Sequence, residues 1–485
     1  MPRAQARKDH PTLVPVKFRA LLAILGVAAL AFAASTYLGF RSGYDAAAQT
    51  AASGTPGDLA AIDLRNIFNP AATDEHLIAT AFRELERVYY KPVNAQTLVH
   101  GERSGIAGYL RAKGVRDASL PVVSATGEQG ADLRKIDFQL AYAQSHYAKR
   151  LGANGNVQIT QAALRGMMSS LGDPYTVYLS PEEIQSLNES LDGGNFGGIG
   201  VYIYQLKDGQ VILQPIEGLP AARAGMKPGE VVTSVDGSPV KGLMLDRVER
   251  MIRGERGTAV TIVAHPWKQP HQHAYRIVRD IIHVPTVRAK MENGYEYIRL
   301  SDFGETSADE VRAALLSGKA HGARGYILDL RDNGGGLLDA AVRISSYFIP
   351  TGAIVSTIDR AGRKDQQNAL GTAIGGLRPL VVLVNKYTAS ASEITAGAIA
   401  DYKIGTLIGT KTFGKGVVQS IYPMPDRSAL KITTARYVTP AGRDIQHKGI
   451  APDIAVSQNP DPGIIDTPRD RQLAAAMAHL AGRRR

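Results

Sequence analysis

The chain has 485 residues, of which 44% are hydrophobic and 21% charged, and its net charge is +11. This length is typical of roughly two to four domains, and the balance of apolar and charged residues excludes a wholly disordered chain. The 50 glycines and 25 prolines follow no fixed period, which excludes a collagen-like repeat. Because the chain has no cysteine, a disulfide scaffold, a cysteine-based zinc site, an iron–sulfur cluster and a cysteine nucleophile are excluded.

The positive charge is concentrated at the two ends of the chain. Among residues 3–19 the basic side chains outnumber the acidic one by four, and residues 483–485 add three more, which leaves +4 for the rest. A nucleic-acid-binding protein is expected to carry its basic residues as a patch on a folded domain. We therefore predict no nucleic-acid partner.

An uncharged apolar stretch follows the basic N-terminus. Residues 20–40 (ALLAILGVAALAFAASTYLGF) would form a helix about 31 Å long, enough to cross a hydrocarbon core of about 30 Å. Positive residues before such a span place the N-terminus in the cytoplasm. We predict that residues 1–41 are a cytoplasmic head and a single-pass inner-membrane anchor, with the later domains in the periplasm. Cleavage near Ala46–Ala48, as in a signal peptide, is the alternative.

Helical periodicity begins at Asp74, after a linker over residues 42–73 that is rich in Ala, Ser, Gly and Thr. A loop is predicted over residues 114–130. The other helical stretches of this N-terminal region, residues 74–185, are 98–110, 132–151 and 159–171.

The pattern changes after Pro181 to short strands with glycine turns, such as GQVILQPI and TAVTIVAH, interrupted by one helix near 245–252. Five or six strands with one or two helices, over residues 193–280, predict a small, partly open β barrel. From Tyr295 apolar strands alternate with helices, which predicts βα units over residues 285–455. A C-terminal tail with a helix, residues 456–485, completes an α/β multidomain protein.

Three consecutive glycines, residues 334–336, join a buried strand to a helix in YILDLRDNGGGLL (326–338). Glycines free the backbone to turn its N–H groups outward, beside a helix N-terminus that favours negative charge. Such a nest binds a phosphate or a developing oxyanion. A tight turn without a ligand is the alternative.

A second strand–turn–helix unit, LVVLVNKYTASASEITAGAIADY (380–402), places Ser390 where the helix begins. A hydroxyl at this edge of a parallel sheet lies beside free backbone N–H groups, which is the position of a nucleophile. It is also the position of an N-cap serine, and Ser392 and Thr388 are local competitors.

The segment GTKTFGKGVVQ (409–419) nearly matches a phosphate-binding loop, but Gly416 stands where a hydroxyl would bind Mg²⁺. We therefore do not expect ATP. Lys415, between two glycines and before an apolar run, is either a desolvated amine that serves as a base or a surface lysine. The histidines form no HExxH pair, and His265, His271 and His273 lack helical spacing, so neither a metal site nor any cofactor is predicted.

Several segments together resemble the carboxyl-terminal processing proteases, PDZ-containing serine peptidases of family S41 that use a Ser–Lys dyad. The segment LGDPYTVYLSPEE (171–183) resembles the stretch that leads into their PDZ domain, and FGGIGVYI (196–203) resembles the ligand-binding loop of that domain. The likeness covers about residues 155 to 455 in the family's order. The four segments that resemble the peptidase blocks are LDLRDNGGGLL (328–338), NKYTASASEITAGAI (385–399), GTKTFGKGVVQ (409–419) and LKITTARYVTPAGRDIQHKGIAPDI (430–454).

The resemblance implies a crotonase-like peptidase core in which Ser390 is the nucleophile, Lys415 the general base and Gln419 the support of the lysine. The oxyanion would receive the N–H of Ala391 and that of a neighbouring glycine, Gly335 or Gly336. This chain departs from the family in two places. Gly334 stands where the family usually has proline, and the stretch 98–171 is longer than is common.

The resemblance also implies that residues 193–280 form a PDZ domain that binds substrate C-termini. The backbone N–H groups of Gly198, Ile199 and Gly200 would receive the terminal carboxylate, and an apolar tail residue would lie near Ile199, Val201 and Leu245. The implied partners are proteins or peptides with free, apolar C-termini. A homo-oligomer or an activating adaptor is a further possible partner, and a structural β domain without a ligand is the alternative.

Two other function classes compete with an exported peptidase. The first is a membrane-tethered PDZ scaffold with a degenerate core, which the presence of both Ser390 and Lys415 disfavours. The second is a crotonase-type acyl-CoA enzyme with a similar βα core and glycine oxyanion site. Export across a membrane disfavours the second class, because CoA is cytoplasmic.

Overall fold

The computed structural model describes residues 74–191, 196–206, 208–267, 269, 271–283, 285–377, 379–458 and 464–482. The predicted anchor and the linker at 42–73 lie outside these residues. Within the described ranges, every helix is too short or too polar to cross a bilayer. The chain divides into two compact units, one formed by residues 196–283 and the other by residues 74–191 together with 285–482.

The N-terminal part of the larger unit is helical, as the periodicity predicts. Helices α2 (Ala95–Ala112) and α4 (Gly155–Ser169) cross closely because glycines line their contact: a Cβ at Gly105 would lie 2.3 Å from the carbonyl oxygen of Ala162. A loop separates α2 from α3, as expected for residues 114–130. The elements are α1 (Asp74–Val88), α2 (Ala95–Ala112), α3 (Gln129–Leu151), α4 (Gly155–Ser169), β1 (Val177–Leu179) and α5 (Pro181–Leu191).

The smaller unit consists mainly of short strands. Its elements are β2 (Phe196–Gly198), β3 (Val201–Gln205), β4 (Val211–Pro215), α6 (Pro220–Arg223), β5 (Glu230–Val235), β6 (Ser238–Pro239), α7 (Leu245–Ile252), β7 (Ala259–His265), β8 (His273–Val278) and β9 (Asp280–Ile282). The strands form an antiparallel sheet in the order β3-β4-β5-β7-β8, with β6 on β5, and a separate pair of β2 and β9. Because β3 and β8 do not pair with each other, the barrel is open. The helix predicted near 245–252 is present as α7.

The rest of the larger unit alternates strands and helices. Its elements are β10 (Val287–Glu292), β11 (Tyr295–Leu300), α8 (Ser307–Ala320), β12 (Tyr326–Asp329), α9 (Leu338–Ser346), β13 (Ala353–Asp359), β14 (Lys364–Asn368), β15 (Leu380–Val384), α10 (Ala391–Asp401), β16 (Thr406–Gly409), β17 (Val417–Pro423), β18 (Ala429–Val438), β19 (Ile454–Ala455) and α11 (Arg471–Gly482).

A mixed sheet carries the two loops that matter for chemistry. Its order is β10-β11-β12-β15-β16-β19, and all pairs except β10 with β11 are parallel. Strands β12 and β15 are neighbours and are buried along their whole length, in keeping with their apolar sequences. Parallel neighbours end at the same edge of a sheet. The segments 330–336 and 385–390 therefore lie side by side.

A second sheet is antiparallel, in the order β1-β18-β13-β14, with β17 also on β18. Successive side chains of a strand point to opposite faces. On β18, Leu430 and Ile432 pack into the core of the helical region. Thr433 lies on the opposite face and pairs with Gln419 of β17. The N-terminal helices and this sheet thus share one hydrophobic core.

Candidate active site

Ser390 occupies the sharp turn between β15 and α10. Its φ of +56° lies in the left-handed region, which a residue with a Cβ rarely adopts. Such strain persists only where the surroundings hold it, and it is found at functional sites. A strand–turn–helix junction of this kind is also where hydrolases expose a nucleophilic serine.

The two competing hydroxyls in this segment are engaged by the backbone. Thr388 Oγ1 donates to the carbonyl oxygen of Leu330 at 2.8 Å, and Ser392 Oγ donates to that of Asn333 at 3.0 Å. Both bonds join the turn to the neighbouring loop. The hydroxyls of Thr388 and Ser392 therefore have a structural role in this turn.

Lys415 is buried, with 1% of its surface exposed, two residues before β17 begins. Burial lowers the pKa of its amine to about 7, although the negative charges of Asp173 and Glu393 act to raise that pKa. Its Nζ lies 4.8 Å from the ring centroid of Tyr175, within the range of a cation–π contact. The amine is therefore set to change its charge near neutral pH.

The carboxylate of Glu393 joins the two predicted dyad residues. Its Oε2 accepts from the backbone N–H of Ser390 at 3.0 Å and from that of Lys415 at 2.8 Å. Its Oε1 accepts from the N–H of Gly414 at 2.7 Å and from Thr412 Oγ1 at 2.5 Å. Burial raises the pKa of Glu393, and these hydrogen bonds oppose that rise. One oxygen thus fixes the backbones of Ser390 and Lys415 next to each other.

Tyr437 makes the same connection from β18. Its hydroxyl lies within hydrogen-bond distance of the carbonyl oxygen of Lys415 and 3.2 Å from that of Ser390. Sequence reasoning missed both Glu393 and Tyr437 as site residues. The spacing Ser390-x-x-Glu393 is a capping-box signature that was visible in the sequence, whereas the place of Tyr437 depends on long-range strand pairing.

Gln419 is fully buried on β17, four residues after Lys415. Its Nε2 lies 3.5 Å from Thr433 Oγ1, and its Oε1 has no hydrogen-bond partner in the described part of the chain. A buried acceptor needs a hydrogen-bond donor, and this oxygen is therefore available to a donor of the candidate site.

Gly335 makes the closest approach to the serine turn. Its φ is +108°, and a Cβ there would lie 2.8 Å from Ser390 Cβ and 2.9 Å from the N atom of Ala391. The N–H of Gly335 donates to Asn333 Oδ1 at 2.9 Å and is therefore occupied. By contrast, neither Ala391 nor Gly336 donates its N–H to an acceptor within the described residues.

Further hydrogen bonds join the glycine loop, residues 330–336, to the serine loop, residues 385–390. The Asn385 side chain makes two such bonds to Asp332: its Nδ2 donates to Asp332 Oδ1 at 2.8 Å, and its Oδ1 accepts from the backbone N–H of Asp332 at 3.1 Å. The N–H of Ala389 donates to the carbonyl oxygen of Asn333 at 3.0 Å. The loops around the candidate site are therefore held rigidly to each other.

The resemblance of residues 409–416 to a phosphate-binding loop has no structural counterpart. The N–H groups of Gly414 and Lys415 donate to Glu393, and that of Gly416 donates to Gln446 Oε1 at 2.6 Å. These groups are thus not available to a phosphate. In the described ranges, no group of three or more His, Cys, Asp or Glu side chains is arranged to hold a metal ion.

The predicted peptide-binding residues lie together in the smaller unit. Ile199 is buried and Gly200 has a φ of +73°, and Val201 begins β3 at the edge of the sheet. A Cβ on Gly200 would lie 2.4 Å from Leu219 Cβ, so the turn requires glycine. Gly198 ends β2 on the other side of the turn. Strand β3 pairs only with β4 among the described residues, which leaves its outer edge for an added strand.

Comparison with known proteins gives two domain matches. Residues 294–456 match peptidase family S41, and residues 211–264 match the PDZ domain. A probable CtpA-like serine protease of Staphylococcus epidermidis is 35% identical over 332 residues, which cover 68% of this chain and 66% of that protein. The carboxy-terminal-processing protease of Bartonella bacilliformis is 37% identical over 308 residues, covering 62% of this chain and 70% of that protein. The solved photosystem II D1 C-terminal processing protease is 28% identical, with coverage of 80% and 94% and a TM-score of 0.44.

Proposed function

The chain belongs to peptidase family S41, and on that premise we propose that it is a serine endopeptidase with Ser390 as nucleophile and Lys415 as general base. The observation that carries this proposal is the shared Glu393 Oε2, which binds the backbone N–H of both residues. A nucleophile and its base must be held within reach of each other, and this carboxylate supplies that constraint.

The reaction follows from the two side chains. In the acylation step Ser390 Oγ bonds to the peptide carbonyl carbon while neutral Lys415 takes the hydroxyl proton. The C–N bond then breaks, and the lysine returns the proton to the leaving amine. In deacylation the oxygen of water bonds to the ester carbonyl carbon while Lys415 takes a proton from the water. The lysine then returns that proton to Ser390 Oγ as the ester C–O bond breaks. With a pKa of about 7, a large fraction of the Lys415 amine is neutral at neutral pH when each cycle starts.

The developing oxyanion has two donors in this proposal, the backbone N–H groups of Ala391 and Gly336. Both lack an acceptor within the described residues, whereas the N–H of Gly335 is bound to Asn333. One such donor is worth about 3 kcal/mol in the transition state. Gln419 Oε1 would accept a hydrogen bond from the amine of Lys415 and hold it toward the serine.

Substrate selection is assigned to the PDZ domain. A substrate tail would add as a strand to β3, with its free carboxylate on the N–H groups of residues 198–200 and an apolar side chain near Val201. Residues 20–40 would tether the enzyme to the inner membrane with its domains in the periplasm, on the strength of their length, lack of charge and basic flank.

Serine replacement tests the proposal. Ser390→Ala is expected to abolish peptide cleavage and to leave the chain folded, because a helix cap contributes only about 1 kcal/mol. Ser392→Ala is the comparison for the competing nucleophile. It should retain cleavage at a reduced rate, since it loses only the hydrogen bond that its hydroxyl donates to the carbonyl oxygen of Asn333. An active Ser390→Ala together with an inactive Ser392→Ala would move the nucleophile. A wild-type chain that binds peptides without cleaving them would instead indicate the PDZ scaffold.

A further inference from the structure

The C-terminal segment, residues 464–482, lies beyond the matched peptidase domain and still reaches the candidate site. It supplies Asp470 and Gln472, each 3% exposed, to a buried polar cluster around Arg331. Arg331 is the largest fully buried side chain of the described residues. It lies in the loop 330–336, which leads from β12 to the glycines.

Every N–H of the Arg331 guanidinium has an acceptor. Nε and Nη2 donate to the two oxygens of Asp329 at 2.8 Å and 2.6 Å. Nη1 and Nη2 donate to the two oxygens of Asp470, both at 2.8 Å, and Nη1 also donates to Gln472 Oε1 at 3.2 Å. A guanidinium has five donors in a rigid fork, and two bidentate carboxylates fix its orientation. The C-terminal segment therefore provides three of the five acceptors.

We define residues 333–336 as the oxyanion loop. Arg331 and Asp332 come directly before this loop in the chain. Asp332 binds Asn385 of the serine loop, while the adjacent Arg331 side chain binds the C-terminal segment. Asn333 then accepts from Ala389 and Ser392 and fixes Gly335 through its side chain. The loop is thus anchored through side chains that bind two separate partners, the serine loop and the C-terminal segment.

We propose that Asp470 is a positioning residue for the oxyanion loop, through which the C-terminal segment holds Arg331 and hence the N–H of Gly336 in its catalytic orientation. This inference rests on the proposed function. Removing one partner of a buried ion pair leaves the other partner uncompensated, so the loop shifts to recover its hydrogen bonds. A displacement of about 1 Å at a catalytic group costs about 100-fold in rate.

The test measures turnover per active site in the full chain. Active sites are titrated with a fluorophosphonate, so that unfolded molecules do not count. Asp470→Asn is expected to lower kcat by about 10- to 100-fold with KM changed less than about twofold, since the interaction acts in the transition state. The affinity for a peptide boronate, whose adduct mimics the tetrahedral intermediate, should fall by the same factor. The pH dependence set by Lys415 should stay unchanged.

A matched control exists in the same segment. The side chain of Asp466 pairs with Lys290 at 2.6 Å on a partly exposed surface. Its backbone N–H donates to Asp470 Oδ2 at 2.9 Å, a hydrogen bond that a change of side chain keeps. Its φ of +60° suits asparagine, so Asp466→Asn is tolerated by the backbone. This variant should keep kcat and boronate affinity within about twofold of the wild-type values.

Gln472→Met provides a second variant should Asp470→Asn fail to fold. It removes one acceptor of Arg331 and should lower kcat by about two- to fivefold in the same direction. A reduced titre with unchanged kcat per site in both variants would overturn the inference, because the segment would then serve folding alone. Equal losses in Asp466→Asn and Asp470→Asn would also overturn it. A wild-type chain that does not react with the fluorophosphonate would overturn the proposed function first, and the inference with it.

Discussion

Glu393 accepts four hydrogen bonds from the two segments that carry Ser390 and Lys415. Its carboxylate is fully buried, so the charge depends on these donors for stabilisation. An ionised carboxylate is an acceptor only, and its two oxygens match the four donors present. The two residues of the proposed dyad are therefore joined through the carboxylate of a third residue.

Glu393→Gln is expected to lower both stability and turnover. The glutamine side chain has an NH₂ group in place of one carboxylate oxygen, so some of the backbone N–H groups that donate to Glu393 would face a donor instead of an acceptor. The loss in the free energy of unfolding should be about 1–3 kcal/mol, measured by denaturation in urea. Asp132→Asn is the matched control, since the buried Asp132 accepts from the N–H groups of Thr126 and Gly127 in the helical region. The control should lose stability and keep kcat per titrated site. Equal kcat in both variants would contradict the role of Glu393.

Activity is expected to rise with pH along a limb near pH 7, because Lys415 must be neutral to accept the serine proton and its pKa is about 7. The measurement is kcat/KM between pH 5 and pH 9 for a fixed peptide. Lys415→Arg should be inactive, since a guanidinium keeps its proton throughout this range. Substantial cleavage by Lys415→Arg would exclude the general-base role.

A second group near the loop requires a control for that pH profile. Burial raises the pKa of Asp302 to about 7. Its Oδ1 accepts a hydrogen bond from the backbone N–H of Phe303, and the same N–H also donates to the carbonyl oxygen of Gly335. Asp302→Asn should retain the limb near pH 7. Loss of the limb in this variant would assign the titration to Asp302 rather than to Lys415.

Most elements near the site follow from sequence pattern. The apolar runs of β12 and β15 and the helix after Ser390 are buried βα units, which periodicity detects well. The antiparallel sheet was not predicted. Strand β14 is the polar run KDQQN, and β1 pairs with β18 some 250 residues later, so neither local composition nor local spacing carries the signal.

The same distinction applies to the site. The roles proposed for Ser390, Lys415 and Gln419 rest on local motifs, which the sequence itself displays, and they stay predictions. Tyr437 and Tyr175 reach the site through β18 and the turn before β1, and only the sheet pairing places them there.

The glycine loop gives a prediction at the scale of one element. Gly335→Ala is expected to abolish turnover, because its Cβ would lie 2.8 Å from Ser390 Cβ and the residue has a φ of +108°. Gly362→Ala is the matched control: its φ is also positive, at +78°, but a Cβ there meets open space. Both variants should lose some stability on heating, and only Gly335→Ala should lose kcat. Full activity in Gly335→Ala would show that the loop is not tightly held against the serine.

For the whole molecule, the PDZ domain is expected to make recognition depend on a free C-terminus. A peptide that ends in an apolar residue with a free carboxylate should bind about 5- to 150-fold more tightly than its amidated twin, because the amide leaves desolvated N–H groups poorly paired. Calorimetric titration of the Ser390→Ala chain, which we expect to be inactive, measures both affinities without cleavage. Equal affinity for the two peptides would contradict carboxylate recognition.

The central claim is that Ser390 is the nucleophile and Lys415 its base, and identification of the labelled residue tests it most directly. The wild-type chain is treated with a fluorophosphonate at several pH values, digested, and the modified residue located by mass spectrometry. We predict a single adduct on Ser390, formed at a rate that rises through about pH 7 and is abolished in Lys415→Arg. An adduct on Ser392 or Thr388, or labelling of Ser390 that survives in Lys415→Arg, would contradict the account.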